Sequence, residues 1–126
     1  MKRIEYSRQV MRVLKPAMGT GRRTIEKQIK QGRAFVYQSD NGQVFAIVRP
    51  EGTELVFVAV AGKGLAYTAN EFILFAKSQG FSTLRYHTKN PHYLKHGVAA
   101  AMTKPHLVEI RKALIGADEY VYRINL

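Results

Sequence analysis

Apolar residues near the start of the chain recur at the spacing of a helix. Val10, Val13 and Leu14 stand at positions i, i+3 and i+4, which predicts an amphipathic helix over residues 6–14. Pro16 is expected to end this helix, because proline has no amide hydrogen and clashes with the preceding turn.

A second helix and a short first strand complete this part of the chain. Ile25 and Ile29 are four residues apart, so residues 22–31 are predicted to form a basic helix with one apolar face. Gly32 is expected to end it, because glycine accepts the left-handed backbone that closes many helices. Residues 2–6 are a candidate first strand.

The pattern then changes to the period of strands. Residues 34–39 and 43–49 are rich in Phe, Val, Tyr and Ile, and Asn41-Gly42 stands between them. An Asn-Gly pair between two such runs predicts a hairpin, since both turn residues must accept positive φ. Residues 50–52, Pro-Glu-Gly, predict the next turn.

An apolar strand, a helix and another strand follow in that order. Residues 54–61 are almost all apolar, as expected of a central strand that is covered on both faces. We expect the helix to begin near Leu65, although Thr68 and Glu71 form a capping-box pattern that would start it later. Residues 82–88 predict the second strand, and the order implies a right-handed parallel crossover. The helix has one apolar stripe: Leu65, Ala69, Phe72 and Ala76.

The end of the chain predicts a short helix and a final pair of strands. The helix is expected within residues 90–103. Residues 107–114 and 119–125 are expected to be strands joined at residues 116–118. The apolar residues of 107–114 also fit a helical period. We favour the strand, because the last segment pairs naturally with a preceding one.

Composition restricts the architecture and the chemistry. The 126 residues correspond to a single domain, 1–126, and 46% of them are hydrophobic, which is typical of a globular protein. There is no cysteine, so thiolate metal sites and a thiol nucleophile are excluded. No apolar run approaches the roughly 20 residues of a membrane span, and no secretory signal is evident. We therefore expect a cytoplasmic protein.

The formal net charge of +11 is concentrated at the start of the chain. Residues 1–33 carry ten Lys or Arg against two Glu. Such a region attracts polyanions, namely nucleic acid or an acidic partner, and the alternative is a pair of solvated helix faces. Nucleic-acid binding would be mostly phosphate contact. The candidate polyanion-binding residues are Arg12, Arg22, Arg23, Lys27 and Lys30.

A glycine-containing loop joins the apolar strand to the following helix. Residues 61–66 are Ala-Gly-Lys-Gly-Leu-Ala. A helix N-terminus offers unpaired amides and a positive dipole end to a phosphate, and Gly62 and Gly64 would let the backbone approach it closely. Lys63 would add a positive charge. The alternative is a tight strand-to-helix turn that needs glycine for its angles alone.

The order of elements and the loop resemble the GNAT acyltransferase superfamily. Gly64 and Ala66 match the last two positions of that family's Gln/Arg-x-x-Gly-x-Gly/Ala loop. Asn90 resembles an asparagine near the family's cofactor, and Tyr93 resembles a tyrosine of the following helix. Ala61 departs from the pattern, since the family usually has Gln or Arg there. The resemblance implies an α/β (α+β) fold, with a mixed sheet of about six or seven strands and about four helices.

The same resemblance implies an acyl-CoA-dependent N-acyltransferase that uses acetyl-CoA (coenzyme A) and an amine acceptor. Glu54, at the head of the central strand, is the first candidate for the base, and Glu51 is the second. Tyr93 resembles the family's acid, and His87 ends the next strand, where open α/β sites lie. The implied cofactor-binding residues are Val58, Val60, Gly62, Lys63, Gly64, Leu65, Ala66 and Asn90.

A non-catalytic role is the alternative to acyl transfer. Ala61 and the short segment over 90–97 favour a GNAT-shaped binding or structural module, which would act through its basic helices. His92 and His96 have the spacing of metal ligands on a helix, but no carboxylate lies nearby in sequence, and we expect no metal site. The chain is expected to be a monomer or a homodimer.

Overall fold

A seven-stranded mixed sheet with helices on both faces forms the body of the protein. The computed structural model describes residues 1–89 and 104–126. The prediction of a mixed sheet with six or seven strands is confirmed. About four helices were predicted, and three are present among the described residues. The helix expected within 90–103 lies outside the described residues. The elements are β1 (Lys2–Ile4), α1 (Arg8–Met18), α2 (Arg22–Lys30), β2 (Phe35–Gln38), β3 (Val44–Glu51), β4 (Glu54–Gly62), α3 (Leu65–Ser78), β5 (Thr83–Thr88), β6 (His106–Arg111) and β7 (Glu119–Asn125).

The strands lie in the order β1-β2-β3-β4-β5-β7-β6. β4 and β5 are parallel, and the other neighbouring strands are antiparallel. The predicted hairpin between β2 and β3 and the predicted parallel crossover through α3 are therefore confirmed. The last two segments are strands, so the helical alternative for residues 107–114 is wrong. No helix in the described parts of the chain has the length and apolarity that crossing a membrane requires.

Two apolar layers hold the helices to the sheet. On one face, α3 packs Phe72 and Ile73 against β4, β5 and β7. On the other face, α1 and α2 pack Leu14 and Ile25 against β3 and β4, where they meet Ile47. β4 is thus covered on both sides, which is why its sequence is apolar almost throughout.

Helix α1 continues past its proline. Ser7 caps the helix by accepting a hydrogen bond from the amide of Val10, and the helix ends at Met18 rather than at Pro16. The prediction that Pro16 ends the helix was wrong. Met18 lies one turn beyond Leu14 and is buried with it, so packing of the last turn outweighs the single backbone hydrogen bond that proline removes.

Strand β3 also extends beyond its predicted end. Pro50 pairs with Leu55 of β4, so the turn predicted over 50–52 begins too early. Pairing of β2 with β3 stops at Phe35–Val48, and Pro50 lies beyond it. Its missing amide therefore costs no ladder hydrogen bond to β2, which is the usual reason that proline is tolerated in a strand.

Helix α3 begins where its apolar stripe predicted, at Leu65, and Thr68 lies inside it. Gly64 is the residue before the helix and has a left-handed backbone, with φ of 75° and ψ of 32°. Glycine adopts this conformation without the steric cost of a side chain. The capping-box alternative, with a start at Thr68, is therefore wrong.

Gly62 allows β3 and β4 to approach each other closely, and its replacement tests this packing. A Cβ atom at Gly62 would stand 2.0 Å from the carbonyl oxygen of Gln43, whereas one at Gly52 would meet nothing within 4 Å. Both glycines have positive φ, 137° and 59°. We expect Gly62→Ala to lower the free energy of unfolding by roughly 3 kcal/mol. Gly52→Ala should lower it by about 1 kcal/mol, from backbone strain alone.

Urea denaturation of the two variants and the wild type measures both losses. Equal losses for Gly62→Ala and Gly52→Ala would contradict the close contact between β3 and β4.

Candidate active site

The parallel strands β4 and β5 separate halfway along their length. They pair only from Glu54–Thr83 to Phe57–Tyr86, although β4 runs on to Gly62 and β5 to Thr88. The register between β3 and β4 shifts at this point, so that Val58 is an extra residue opposite β3. A bulge of this kind bends a strand, and it directs the second half of β4 away from β5.

A cleft of about 320 Å³ lies between the separated strands. Pro16 and Ala17 of α1 line it from one face of the sheet, and Phe72 and Ile73 of α3 line it from the other. The cleft therefore reaches both helical layers. Its polar wall comes from the ends of the neighbouring strands: His87, Thr88, Lys89 and Glu119.

His87 and Glu119 form a pair in this wall. The Nδ1 atom of His87 lies 2.8 Å from Oε1 of Glu119, and the imidazole is half-buried. When Nδ1 carries the proton it donates to the carboxylate, and Nε2 can then accept a proton. Arg111 reaches the same carboxylate oxygen at 3.4 Å. The pair thus has the arrangement of a general base and the group that orients it.

The sequence pointed to His87 but not to Glu119. The signal lay in the strand order, because β7 runs antiparallel to β5 and its first residues must lie beside the last residues of β5. The sequence predicted both strands but did not predict that they are neighbours.

Glu54 lies at the other end of β4, inside a group of cationic side chains. Its carboxylate accepts hydrogen bonds from Arg123 and from Thr83, the latter at 2.9 Å, and Arg85 contacts it at 2.9 Å. The pKa of Glu54 is lowered below its usual range, mainly by the hydrogen bond from Arg123. The hydrogen bond from Thr83 and the positive charges of Arg123 and Arg85 lower it further, whereas burial raises it. A base function for Glu54 stays a prediction, and this geometry disfavours it. Glu51, the second candidate for the base, is exposed, is paired with Arg85 and lies at the same end of the sheet as Glu54.

The loop before α3 has two different parts. Gly62 pairs with Val44 and is the last residue of β4. The amide of Lys63 donates to the carbonyl of Gln43 at 3.2 Å, so it too is already paired. From Leu65 onwards the amides belong to the first turn of α3, where they have no acceptor within the helix. Gly64, the N-cap residue, makes no side-chain capping hydrogen bond. Within this loop, the amides suited to an anion are therefore those at the start of α3, beside Gly64, rather than those of the whole loop.

The remaining predicted site residues fall into three groups. Val58 and Val60 line the cleft, whereas Asn90 and Tyr93 lie outside the described residues. The candidate polyanion-binding residues are surface residues of α1 and α2, and none of them is among the described residues that line the cleft. Arg22 is paired with Glu26 at 3.3 Å, and the exposed members are Arg12, Arg23, Lys27 and Lys30.

Replacing Glu54 tests whether its ion pairs are structural. Glu54→Gln leaves Arg123 without the carboxylate that pairs with it and leaves Arg85 with Glu51 alone. We expect the free energy of unfolding to fall by about 2 to 3 kcal/mol at neutral pH. Glu51→Gln, which removes an exposed carboxylate from the same group, should cost about 0.5 kcal/mol. Because folding lowers the pKa of Glu54, its contribution is complete above its ordinary pKa and is lost as the pH falls through the lower, folded value.

Urea denaturation from neutral to acidic pH measures this difference. The gap between the wild type and Glu54→Gln should close as the pH is lowered, and a gap that stays constant would contradict the assignment.

We compared this architecture with solved protein structures. The chain superposes on the crystal structure of the ribosomal-protein-S18-alanine N-acetyltransferase from Escherichia coli with a TM-score of 0.55 and 17% identity, over 79% of this chain and 76% of that chain. It also matches the structure of a putative acetyltransferase of the GNAT family from Desulfovibrio desulfuricans, with a TM-score of 0.47 and 13% identity, over 79% and 75% of the two chains. No protein-family model and no curated protein matches the sequence. The first of these superpositions shows that the chain has a GNAT-like fold.

Proposed function

We propose that this chain is an acyl-CoA-dependent N-acyltransferase that transfers an acetyl group to an amine. The observation that carries the proposal is the separation of β4 from β5 beyond Phe57 and Tyr86. It creates a cleft that reaches both faces of the sheet, so a donor can enter from the side of α3 and an acceptor from the side of α1. The similarity to acetyltransferases of the GNAT fold supports this choice of reaction.

The proposed donor is acetyl-CoA, held along β4 and at the start of α3. Beyond Phe57, the backbone of β4 has no partner in β5, so its polar groups near Val58 and Val60 are suited to an extended ligand and to a thioester carbonyl. The amides of the first turn of α3, at Leu65 and Ala66, are suited to a diphosphate. Gly64 leaves the approach free of a side chain, exposed Lys63 adds a positive charge, and the sequence adds Asn90.

The proposed base is the imidazole of His87. With its Nδ1 proton donated to Glu119, Nε2 can take a proton from the attacking amine. Both residues lie in the wall of the cleft, and this position supports a base that acts on groups bound there. Tyr93 stays the proposed acid for the leaving thiolate, as the resemblance implied.

In the non-catalytic alternative, the cleft has no function in chemistry. A binding module that acts through the basic faces of α1 and α2 needs neither the separated strands nor an oriented imidazole. The His87–Glu119 pair favours catalysis, since a carboxylate that orients a histidine in a cleft serves proton transfer. Polyanion binding by Arg12, Arg23 and Lys27 stays a prediction.

Gly64 and Gly80 provide a matched test of the cofactor site. They stand at opposite ends of α3, and both have left-handed backbones, with φ of 75° and 86°. Valine at either position should therefore lower stability by a similar amount, about 1 to 2 kcal/mol. Only Gly64→Val introduces a side chain where the diphosphate is proposed to bind.

Calorimetric titration with acetyl-CoA separates the two effects. We expect the wild type and Gly80→Val to bind acetyl-CoA, and Gly64→Val to bind it at least tenfold more weakly, a loss of about 1.4 kcal/mol. Binding should also raise the melting temperature of the wild type, since the ligand stabilises the folded state. Equal affinity in the two variants would show that the diphosphate lies elsewhere.

Substitutions of His87 and Glu119 test the proposed base. We expect His87→Gln to lower kcat by about 10² to 10⁴, the usual contribution of a general base. Glu119→Gln should lower kcat less, since the imidazole is retained but no longer held by a carboxylate. Affinity for acetyl-CoA should be unchanged in both variants, because neither residue is proposed to hold the diphosphate.

Release of the coenzyme A thiol in the presence of a panel of amines measures turnover. The chain has no cysteine, so a thiol reagent reports only the coenzyme. Wild-type kcat in His87→Gln would exclude this residue as the base, and retained cofactor binding without turnover on any amine would favour the non-catalytic alternative.

A further inference from the structure

The edge strand β6 has an exposed apolar surface that the proposed reaction does not use. β6 pairs with β7 on one side, and among the described residues no strand pairs with its other side. Leu107, Val108 and Ile110 are each more than 40% exposed. In the loop that follows, Leu114 and Ile115 are fully exposed. An edge of this kind is a template for pairing with another strand.

We propose that β6 pairs antiparallel with β6 of a second copy of this chain, about a two-fold axis at Ile110. In this register each Ile110 lies opposite the other. Glu109 of one chain then lies opposite Arg111 of its partner, and Arg111 lies opposite the partner's Glu109. Residues directly opposite in an antiparallel pair share one face of the sheet, so the interface contains two opposite-charge pairs related by symmetry.

Charge is the reason to choose a second copy as the occupant. Natural sheet edges avoid pairing by carrying charges that would meet like charges or be buried without a partner. Here the charges have opposite sign and are two residues apart, so self-pairing brings Glu109 to Arg111 instead of opposing like charges. Within one chain these side chains are 3.5 Å apart and half-exposed, and Arg111 also contacts Glu119. The exposed half of each side chain remains available to a residue of the second copy.

The apolar residues of the neighbouring loop extend the same surface. Antiparallel pairing about Ile110 brings the end of β6 in one chain, and the loop that follows it, towards the start of β6 in its partner. Burial of Leu114 and Ile115 there would add a non-directional contribution that strand hydrogen bonds lack. The irregularity of β6 lies between Leu107 and Glu109, outside the three residues at the centre of the proposed pairing.

Charge reversal tests the register directly. Glu109→Arg places two arginines opposite each other at both symmetric positions, and Arg111→Glu does the same with two glutamates. By sedimentation velocity over a concentration series, we expect the wild type to form a dimer and each single variant to dimerise roughly tenfold more weakly. An equimolar mixture of the two variants should regain the dimer, because every position then faces its opposite charge.

The mixing experiment does not depend on comparing the stability of variants. Melting temperatures establish that each chain folds, and this matters most for Arg111→Glu, since Arg111 also contacts Glu119 within the chain. The double variant Glu109→Arg/Arg111→Glu should dimerise like the wild type.

A wild type that remains monomeric at sub-millimolar concentration would overturn the proposal. A different protein would then be the candidate partner of β6. A dimer that survives both single reversals, or a mixture that does not associate, would overturn the register. None of these outcomes depends on catalysis or cofactor binding.

Discussion

The parallel pairing of β4 with β5 stops after four residue pairs, and the separation that follows determines where the candidate site lies. Before Phe57 the two strands form one continuous sheet, which carries the apolar layers of α3 on one face and α1 on the other. After the bulge at Val58 the strands diverge. Because polar backbone groups in the interior need partners, a strand that loses its neighbour within a folded domain is a natural place for an extended ligand.

The two ends of this strand pair have opposite character. At the closed end, Glu54 accepts hydrogen bonds from three residues of two other strands, and the contacts of Thr83, Arg85 and Arg123 join β4 to β5 and β7. At the open end, His87 and Glu119 join β5 and β7, while β4 has moved away. The ion pairs thus hold the sheet together beside the point where it divides. Glu54 can contribute to the site by fixing that division without contacting a substrate.

The sequence predicted the fold further than it predicted the site. The sequence located all three described helices and the seven described strands. In most of them a regular set of apolar residues is buried, whereas every residue of β6 is exposed. The prediction erred where tertiary packing decided the outcome. Burial of Met18 extends α1 past Pro16, and the end of the β2–β3 ladder lets Pro50 remain in a strand. The partners of a side chain depend on which strands are neighbours, and a periodic pattern does not contain that information.

The site residues show the same limit in more detail. Glu54 attracted attention as a carboxylate at the head of a central strand, yet the pairing of β5 with β7 brings Arg123 to it. Glu119 had no distinguishing feature in the sequence, yet that pairing places it against His87. Gly62 and Gly64 looked alike in sequence. The structure separates them, since Gly62 allows contact between β3 and β4, and Gly64 precedes the first turn of α3.

Arg111 links the edge of the sheet to the candidate active site. Its guanidinium contacts Glu109 on its own strand and Glu119 on β7, and Glu119 in turn contacts His87. In the proposed dimer, the same guanidinium would also face Glu109 of the partner subunit. The edge of the sheet and the wall of the cleft therefore share one cation, and a substitution of Arg111 changes the surroundings of both.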